Sequence, residues 1–507
     1  MSSFPWLTVL MVVPVVGAVV VAALPASKAG RAKQIAMGTS LLTLVLGILA
    51  ALAYRSATTT GQFRLAEVHS WIPQFGVSWA LGVDGIALSL ILMALILTPV
   101  CILAAWHDVP EGGAREKYYF ALILVLLAFM VGVFAATDVF LFYVFFEAML
   151  IPVYFLIGSY GGDRRQYAAM KFLLFSLAGG LVMLVAVIAL YQYGPGGSQG
   201  FLIERLTGIH FSHTAGRLMW LGFFIAFAVK APMWPFHTWL PDAATEAKPA
   251  TATLLVGVLD KVGTFGMIRF CLQIFPEASR WATPVVLVLA VISVLYGALL
   301  AIGSTDIMRL IAFTSVSHFG FIVLGIFAVT TTGWAGSALY MVNHGFATGA
   351  LFLIAGMLVA RRGSKRIPDF GGWQRLTPVL AGSFLLAGLA GLALPGFGSF
   401  ISEFLVIVGT FQRYKTAAVI AVVGTVLAAL YIMLMYKRLM TGPKPDTVGV
   451  PDLSWRERWV VIPLIGSLLV LGFYPKPVLD LVNPAVKATL SHVGVTDPAP
   501  TIAGGSK

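Results

Sequence analysis

Charge is what this chain has least of. Only 11% of its 507 residues are Asp, Glu, Lys or Arg against 59% hydrophobic, and its mean hydropathy of +0.92 lies far outside the range of a soluble globular domain. Long polar segments are missing too. The largest polar connections, near 55–80, 193–216 and 437–458, run to ~20 residues each, too few to bury a core. There are two cysteines, Cys101 and Cys271, both in apolar segments, which excludes a disulfide framework and a cysteine metal site. The eight histidines are scattered without ligand spacing. With no Gly-rich phosphate loop, flavin fingerprint or Fe–S cysteine set, the sequence points to no redox cofactor in this chain.

What is present is apolar length. Stretches of about 18 or more apolar residues recur from end to end, each able to cross a hydrocarbon core of ~30 Å at 1.5 Å per residue. They lie at 5–24, 36–54, 82–106, 118–135, 138–159, 170–193, 217–238, 250–274, 282–302, 309–328, 332–360, 377–411, 416–436 and 459–474. The expected fold class is therefore an all-α polytopic membrane protein with about 14 transmembrane helices in a single membrane domain, 1–507. The run at 5–24 has no basic residue ahead of it and reads as a first span, not a signal peptide. The stretches at 332–360 and 377–411 exceed one straight span, so tilt, a break or a peripheral turn is expected in each.

A net charge of +12 invites a nucleic-acid reading, but positive-inside sorting explains it. Taking loops alternately, 20 of the 33 Lys and Arg fall on one side and 10, Lys507 included, on the other; Lys230, Lys261 and Arg269 fall inside spans. This predicts the richer side in the cytoplasm, both termini on the outer face, and no nucleic-acid partner.

Two places break the apolar pattern. The stretch FIAFAVKAPMWPFHTWLPDA, Phe224 to Ala243, puts Lys230, Pro232 and Pro235 into a span, and LPGFGSF at 394–400 puts another proline into a second. Discontinuous helices at corresponding places in two halves mark inverted-repeat transporters, with functional groups at the breaks. A single proline kink in a membrane helix is the simpler alternative, but each break here has an ionisable residue close by.

An ionisable residue at the bilayer centre costs about 2.5–3.5 kcal/mol unless it pairs or reaches water. Glu147 follows Asp138 by nine residues, ~13 Å of helical rise, and Lys230 follows Arg217 by thirteen, ~20 Å. Lys261 lies thirteen residues past Lys248, His318 nine past Arg309, His344 near the middle of the eleventh stretch, and Glu403 ten before Arg413. Six spans thus offer one titratable group each at a similar depth: Glu147, Lys230, Lys261, His318, His344 and Glu403. Such a row of acid, base and imidazole groups suits proton hopping, because neighbours of alternating charge set one another's proton affinity. Glu147 and Lys230 are expected to form a switchable pair. The competing readings are a structural salt bridge for those two and a hydrogen-bonded core residue for His344. Asp84, Asp138 and Asp242 lie near span ends, where capping or solvation explains them, and Asp260 points ~100° away from Lys261 round an α-helix.

The segments FYVFFEAMLIPVYFLIG (142–158), KAPMWPFHTWLPDAATEAKPATATLL (230–255), DKVGTFGMIRF (260–270), DIMRLIAFTSVSHFGFIVLG (306–325), NHGFATGALFLIAG (343–356) and LPGFGSFISEFLV (394–406) together resemble the antiporter-like proton-translocating subunits of complex I. The resemblance runs from about Trp71 to Pro475. It implies fourteen helices with two inverted five-helix repeats and broken helices 7 and 12, divided as 1–116 (helices 1–3), 117–275 (helices 4–8), 276–440 (helices 9–13) and 441–507 (helix 14 and tail). It also implies that Glu147, Lys230, Lys261, His318, His344 and Glu403 carry protons. Glu403 stands where L- and N-type relatives usually have lysine, which implies the M-type branch. Met308 departs from the pattern, standing where a lysine often precedes the arginine, and Asp260 before Lys261 is unusual.

The implied activity is that of a subunit of H⁺-translocating NADH:quinone oxidoreductase in a bacterial inner membrane, with FMN, Fe–S clusters and quinone in partner subunits. The implied partners are other membrane-arm subunits, including L- and N-type ones, and membrane lipid. Two alternatives stand beside it: the large subunit of a multisubunit Na⁺/H⁺ antiporter, and a membrane anchor whose charges are structural. A row without clustered hard-oxygen ligands fits H⁺ better than Na⁺.

Overall fold

The computed structural model describes residues 4–57, 61–445 and 449–498, so Lys507, counted above with the outer basic residues, lies outside them. The first helices are α1 (Trp6–Ala22), α2 (Ala32–Ser56), α3 (Gly85–Ala104) and α4 (Ala114–Ala135). Between α2 and α3 the expectation of an all-α chain fails. Strands β1 (Arg64–Ile72) and β2 (Val77–Val83) form an antiparallel hairpin, pairing Glu67 with Leu81 and His69 with Trp79. This segment read as a polar connection because β1 is mostly exposed. What anchors it is Glu67, whose carboxylate accepts from Leu7 N (2.8 Å) and Thr8 Oγ1 (2.5 Å) at the start of α1.

The chain continues through α5 (Val139–Ala148), α6 (Leu150–Tyr160), α7 (Arg165–Tyr193), the short α8 (Ile203–Leu206), α9 (His213–Lys230), α10 (Trp239–Glu246), α11 (Pro249–Leu254) and α12 (Lys261–Gly266). The second half holds α13 (Pro276–Gly303), α14 (Ile307–Phe327), α15 (Thr331–Arg362), α16 (Pro378–Gly391), α17 (Gly398–Arg413), α18 (Lys415–Met440), α19 (Trp455–Phe473) and α20 (Lys476–Val493). Capping residues set many of the starts. Asp84, Asp138, Asp306, Thr330 and Ser454 each accept from a first-turn N–H of the helix that follows.

Among the described residues nine helical segments are long and apolar enough to cross a membrane, or ten if the pair α19 and α20, bent by 69°, is one span. α1 and α16 are shorter apolar helices. The long stretch at 332–360 contains no break: α15 is one helix of 32 residues. α-Helical hydrogen bonding does stop inside two other apolar stretches, between Lys230 and Trp239, where only a 3-10 turn at Phe236–Thr238 intervenes, and between Gly391 and Gly398.

The bundle has an inside and an outside. The apolar cores of α14 and α15 are 100% and 94% buried, whereas α2, α7, α13 and α18 expose apolar rows such as Leu41, Val45, Ile48 and Leu52. Apolar side chains facing outward along whole helices are what lipid or an apolar partner surface requires. Loops assigned to the basic side meet one another. Lys171 (2.6 Å) and Arg309 (2.7 Å) both bind Asp242, Lys365 binds Glu246 (3.2 Å), Lys33 pairs with Glu111, and Arg361 binds Glu457 (2.7 Å). At the opposite ends of the helices, Arg280 and Arg413 bind the carbonyls of Val493 and Thr496.

Candidate functional site

The first break explains how Lys230 is tolerated. Pro232 has no N–H and ends α9, yet the groups at the break find partners: Met233 N binds Ala228 O (3.0 Å), Trp239 Nε1 binds Val229 O (2.9 Å), and Trp234 N binds Ser293 Oγ (2.9 Å). Lys230 is therefore the last residue of a helix, where the C-terminal dipole favours a cation. Its Nζ is buried with no hydrogen-bond partner among the described residues, and lies 5.3 Å and 5.5 Å from the ring centres of Phe146 and Phe172.

Glu147 sits at the last turn of α5, one helix over, and is half-buried. Its Oε1 is also unpartnered among the described residues, so the pair expected from sequence makes no direct contact with Lys230. The carboxylate rests against α7 at Gly180, where a Cβ would lie 1.6 Å from Oε1. Only glycine leaves it that place.

Lys261 lies between two π-helical turns, Leu255–Leu259 and Met267–Leu272. Such turns disturb the carbonyl ladder and recur at functional sites. Fully buried, Lys261 Nζ donates to Val256 O (2.6 Å) and lies 2.6 Å from His344 Nδ1. With Nδ1 accepting, His344 keeps its proton on Nε2, which faces Thr348 Oγ1 at 3.0 Å.

His318 and Glu403 do not touch; Tyr340 joins them. The Tyr340 hydroxyl donates to Glu403 Oε2 (2.9 Å) and lies 2.7 Å from His318 Nδ1. That assigns the His318 proton to Nδ1, leaving Nε2 to accept from Tyr431 OH at 3.3 Å. Glu403 Oε1 accepts from Thr425 Oγ1 at 2.5 Å. The rings of His318 and His344 are 5.4 Å apart between centres, and both line a cavity of about 10 Å³ with Thr314, Tyr340, Thr348 and Ser399, room at the threshold for one water. The second break meets this group through Asn343, whose Nδ2 donates to Gly398 O (2.8 Å) at the start of α17.

Asp138, Asp84 and Asp242 behave as span-end residues. Asp138 caps α5 and accepts from Ser78 N (2.9 Å). Asp84 caps α3 and also pairs with Arg269 at 2.5 Å, both almost fully buried, which gives the third cation found inside a span its partner. Beside Met308, Arg309 supplies the basic contact at that edge through Asp242. No group of three or more His, Cys, Asp or Glu among the described residues is placed to hold a metal ion.

Residues 136–428 match the family model described as NADH:quinone oxidoreductase/Mrp antiporter, transmembrane. Subunit M of NADH-quinone oxidoreductase from Mycobacterium tuberculosis is 49% identical over 99% of this chain and 97% of its own length. The chain belongs to the NADH:quinone oxidoreductase/Mrp antiporter family. Within that family it stands on the subunit M branch. A chain of respiratory complex I from Thermus thermophilus, solved with bound NADH, superposes with a TM-score of 0.87 at 30% identity, covering 96% of this chain and 100% of that one. A chain of the Mrp complex from Dietzia superposes with a TM-score of 0.85 at 22% identity over 97% of this chain and 100% of that one, a likeness of fold alone. The segment matched to the family contains all six residues of the row. It also contains three that sequence reasoning left out, Gly180, Tyr340 and Thr425. For Tyr340 a signal existed: it lies four residues before His344, on the same helix face.

Proposed function

We propose that this chain is a proton-translocating membrane-arm subunit of an NADH:quinone oxidoreductase, coupling quinone reduction in partner subunits to proton pumping through Glu147, Lys230, Lys261, His318, His344 and Glu403. The observation that carries the reading is the chain of contacts from Lys261 to His344, across one water's width to His318, and through Tyr340 to Glu403. A hydroxyl that accepts from an imidazole N–H and donates to a carboxylate can take the imidazole's proton as it gives its own to the carboxylate, and rotation then resets it. FMN, the Fe–S clusters and quinone belong to partner subunits, and electrons do not pass through this chain.

The reading extends to the architecture. The fourteen stretches are fourteen membrane crossings. Segments 117–275 and 276–440 are inverted repeats, preceded by 1–116 and followed by 441–507, with the breaks at Lys230 and before Gly398 in corresponding helices. The basic loops face the cytoplasm of a bacterial cell and both termini face outward, by the count of Lys and Arg. Lipid and neighbouring membrane-arm subunits of the L and N types cover the apolar rows of α2, α7, α13 and α18.

Inverted membrane vesicles carrying Glu147→Gln test it, with the subunit's presence confirmed first. NADH oxidation and NADH-driven acidification should both fall while sodium-driven proton release is unchanged. Loss of sodium exchange with NADH-driven pumping intact would put a Na⁺/H⁺ antiporter in its place. No change in either would return Glu147 to a structural role.

A further inference from the structure

Between the two lysines lies a carboxylate that the row leaves out. Asp260 follows the π-helical turn Leu255–Leu259, its N–H donating to Leu255 O at 3.1 Å, and its side chain is fully buried. Neither carboxylate oxygen has a hydrogen-bond partner among the described residues, and the side chain caps no helix. A bare carboxylate in an apolar interior is among the least favourable placements a protein makes, so its retention asks for a use. Three residues on, a Cβ at Gly263 would meet Ala231 N and Phe227 O at 2.6 Å. Helix α12 therefore lies backbone against backbone on the turn of α9 that ends in Lys230. Asp260 sits at that crossing.

We propose that Asp260 is a proton station between Lys230 and Lys261, a carboxylate that accepts a proton from one lysine and passes it to the other. The inference rests on the proton-translocation reading above. The Lys230 ammonium gives its proton to the Asp260 carboxylate, leaving an amine and a neutral acid. That acid then protonates the Lys261 amine, restoring the carboxylate and leaving an ammonium. One proton moves, no electron moves and no co-reactant is needed. Rotation of the long lysine side chains, or one water on each side, closes the distances. The same proton then faces His344, already in contact with Lys261.

The test uses the intact complex in inverted vesicles carrying Asp260→Asn, Asp260→Glu or Asp260→Ser, with Glu147→Gln as the marker of the underlying reading. A station predicts that Asn and Ser lose NADH-driven acidification, as Glu147→Gln does, and that Glu retains most of it. A packing role predicts the reverse order, because Asn matches the volume of Asp while Glu overfills a fully buried site. Parental pumping by any assembled neutral variant, or an Asn variant that outperforms Glu, overturns the proposal. So does failure of all three to assemble, which would make Asp260 structural. If Glu147→Gln also pumps at the parental rate, it is the translocation reading that fails.

Discussion

Replacing Gly180 by alanine should stop proton translocation while leaving the subunit folded and in place. A Cβ at this position would lie 1.6 Å from Glu147 Oε1, 2.6 Å from its Cδ and 3.2 Å from Oε2. Ordinary contact begins near 3.4 Å, so the carboxylate has to retreat by roughly 2 Å. The backbone has no reason to move: residue 180 is in the middle of α7, where alanine is favoured over glycine by up to ~1 kcal/mol. Glu147 is only half-buried, and a rotamer change carries its head away at little expense in stability. Function should be less forgiving, since a misplacement of ~1 Å at a reacting group can lower a rate about 10²-fold, equivalent to ~2.7 kcal/mol of barrier. The assay is the initial rate of NADH-driven acidification in inverted vesicles, normalised to the amount of subunit. On a Glu147→Gln background the same substitution should add nothing, because the group it displaces is already disabled. Parental pumping by an assembled Gly180→Ala complex would refute the reasoning. Loss of the subunit from the membrane would equally refute the claim that this glycine serves Glu147.

Two further outcomes follow from the same geometry. Tyr340→Phe should leave His318 Nδ1 and Glu403 Oε2 buried without their shared hydroxyl, about 1–3 kcal/mol for each unsatisfied group, and should lower both pumping and the thermal midpoint of the purified complex; a variant that pumps normally would remove Tyr340 from the relay. Arg269→Ala should reduce the amount of assembled subunit, since taking one partner from a buried ion pair costs about 3–5 kcal/mol. Adding Asp84→Asn should recover part of that loss, although Asp84 also caps α3, and membrane content of the single and double variants compared by immunoblot checks it.

How much of this was legible depends on whether a property runs along the chain or across it. Hydropathy and helical rise run along it. That is why Lys230, Lys261, His318, His344 and Glu403 could be placed in the apolar interior from spacing alone, and the structure buries all five. Contacts run across the chain. Equal depth on two helices suggested that Glu147 meets Lys230, yet each side chain turns elsewhere, one to Gly180 and the other between phenylalanine rings. Asp260 was set aside by counting ~100° per residue, a rule that assumes an unbroken α ladder. The π-helical turns on both sides of Lys261 break that assumption. Tyr340 stayed hidden for a chemical reason: in an apolar stretch a tyrosine reads as core until a carboxylate is seen at its hydroxyl. The hairpin at Arg64–Val83 was missed because its anchor, Glu67, binds a helix sixty residues away in sequence.

The contacts also divide the proposed relay into two unlike parts. From Lys261 to Glu403 each group touches the next or is one water away, so protons can redistribute there with small rotations. At Glu147, Lys230 and Asp260 the charged atoms have no hydrogen-bond partners among the described residues. A relay connected along its whole length would let protons run back as easily as forward and could hold no gradient. A pump needs a place where transfer waits for an outside event, and an unpartnered lysine at the broken end of α9 is suited to that place. Its position depends on a helix terminus held by hydrogen bonds from Ala231, Met233, Trp234 and Trp239. In the proposed relay, transfer waits there until the Lys230 side chain meets an acceptor, Glu147 or Asp260, and the well-connected half then follows.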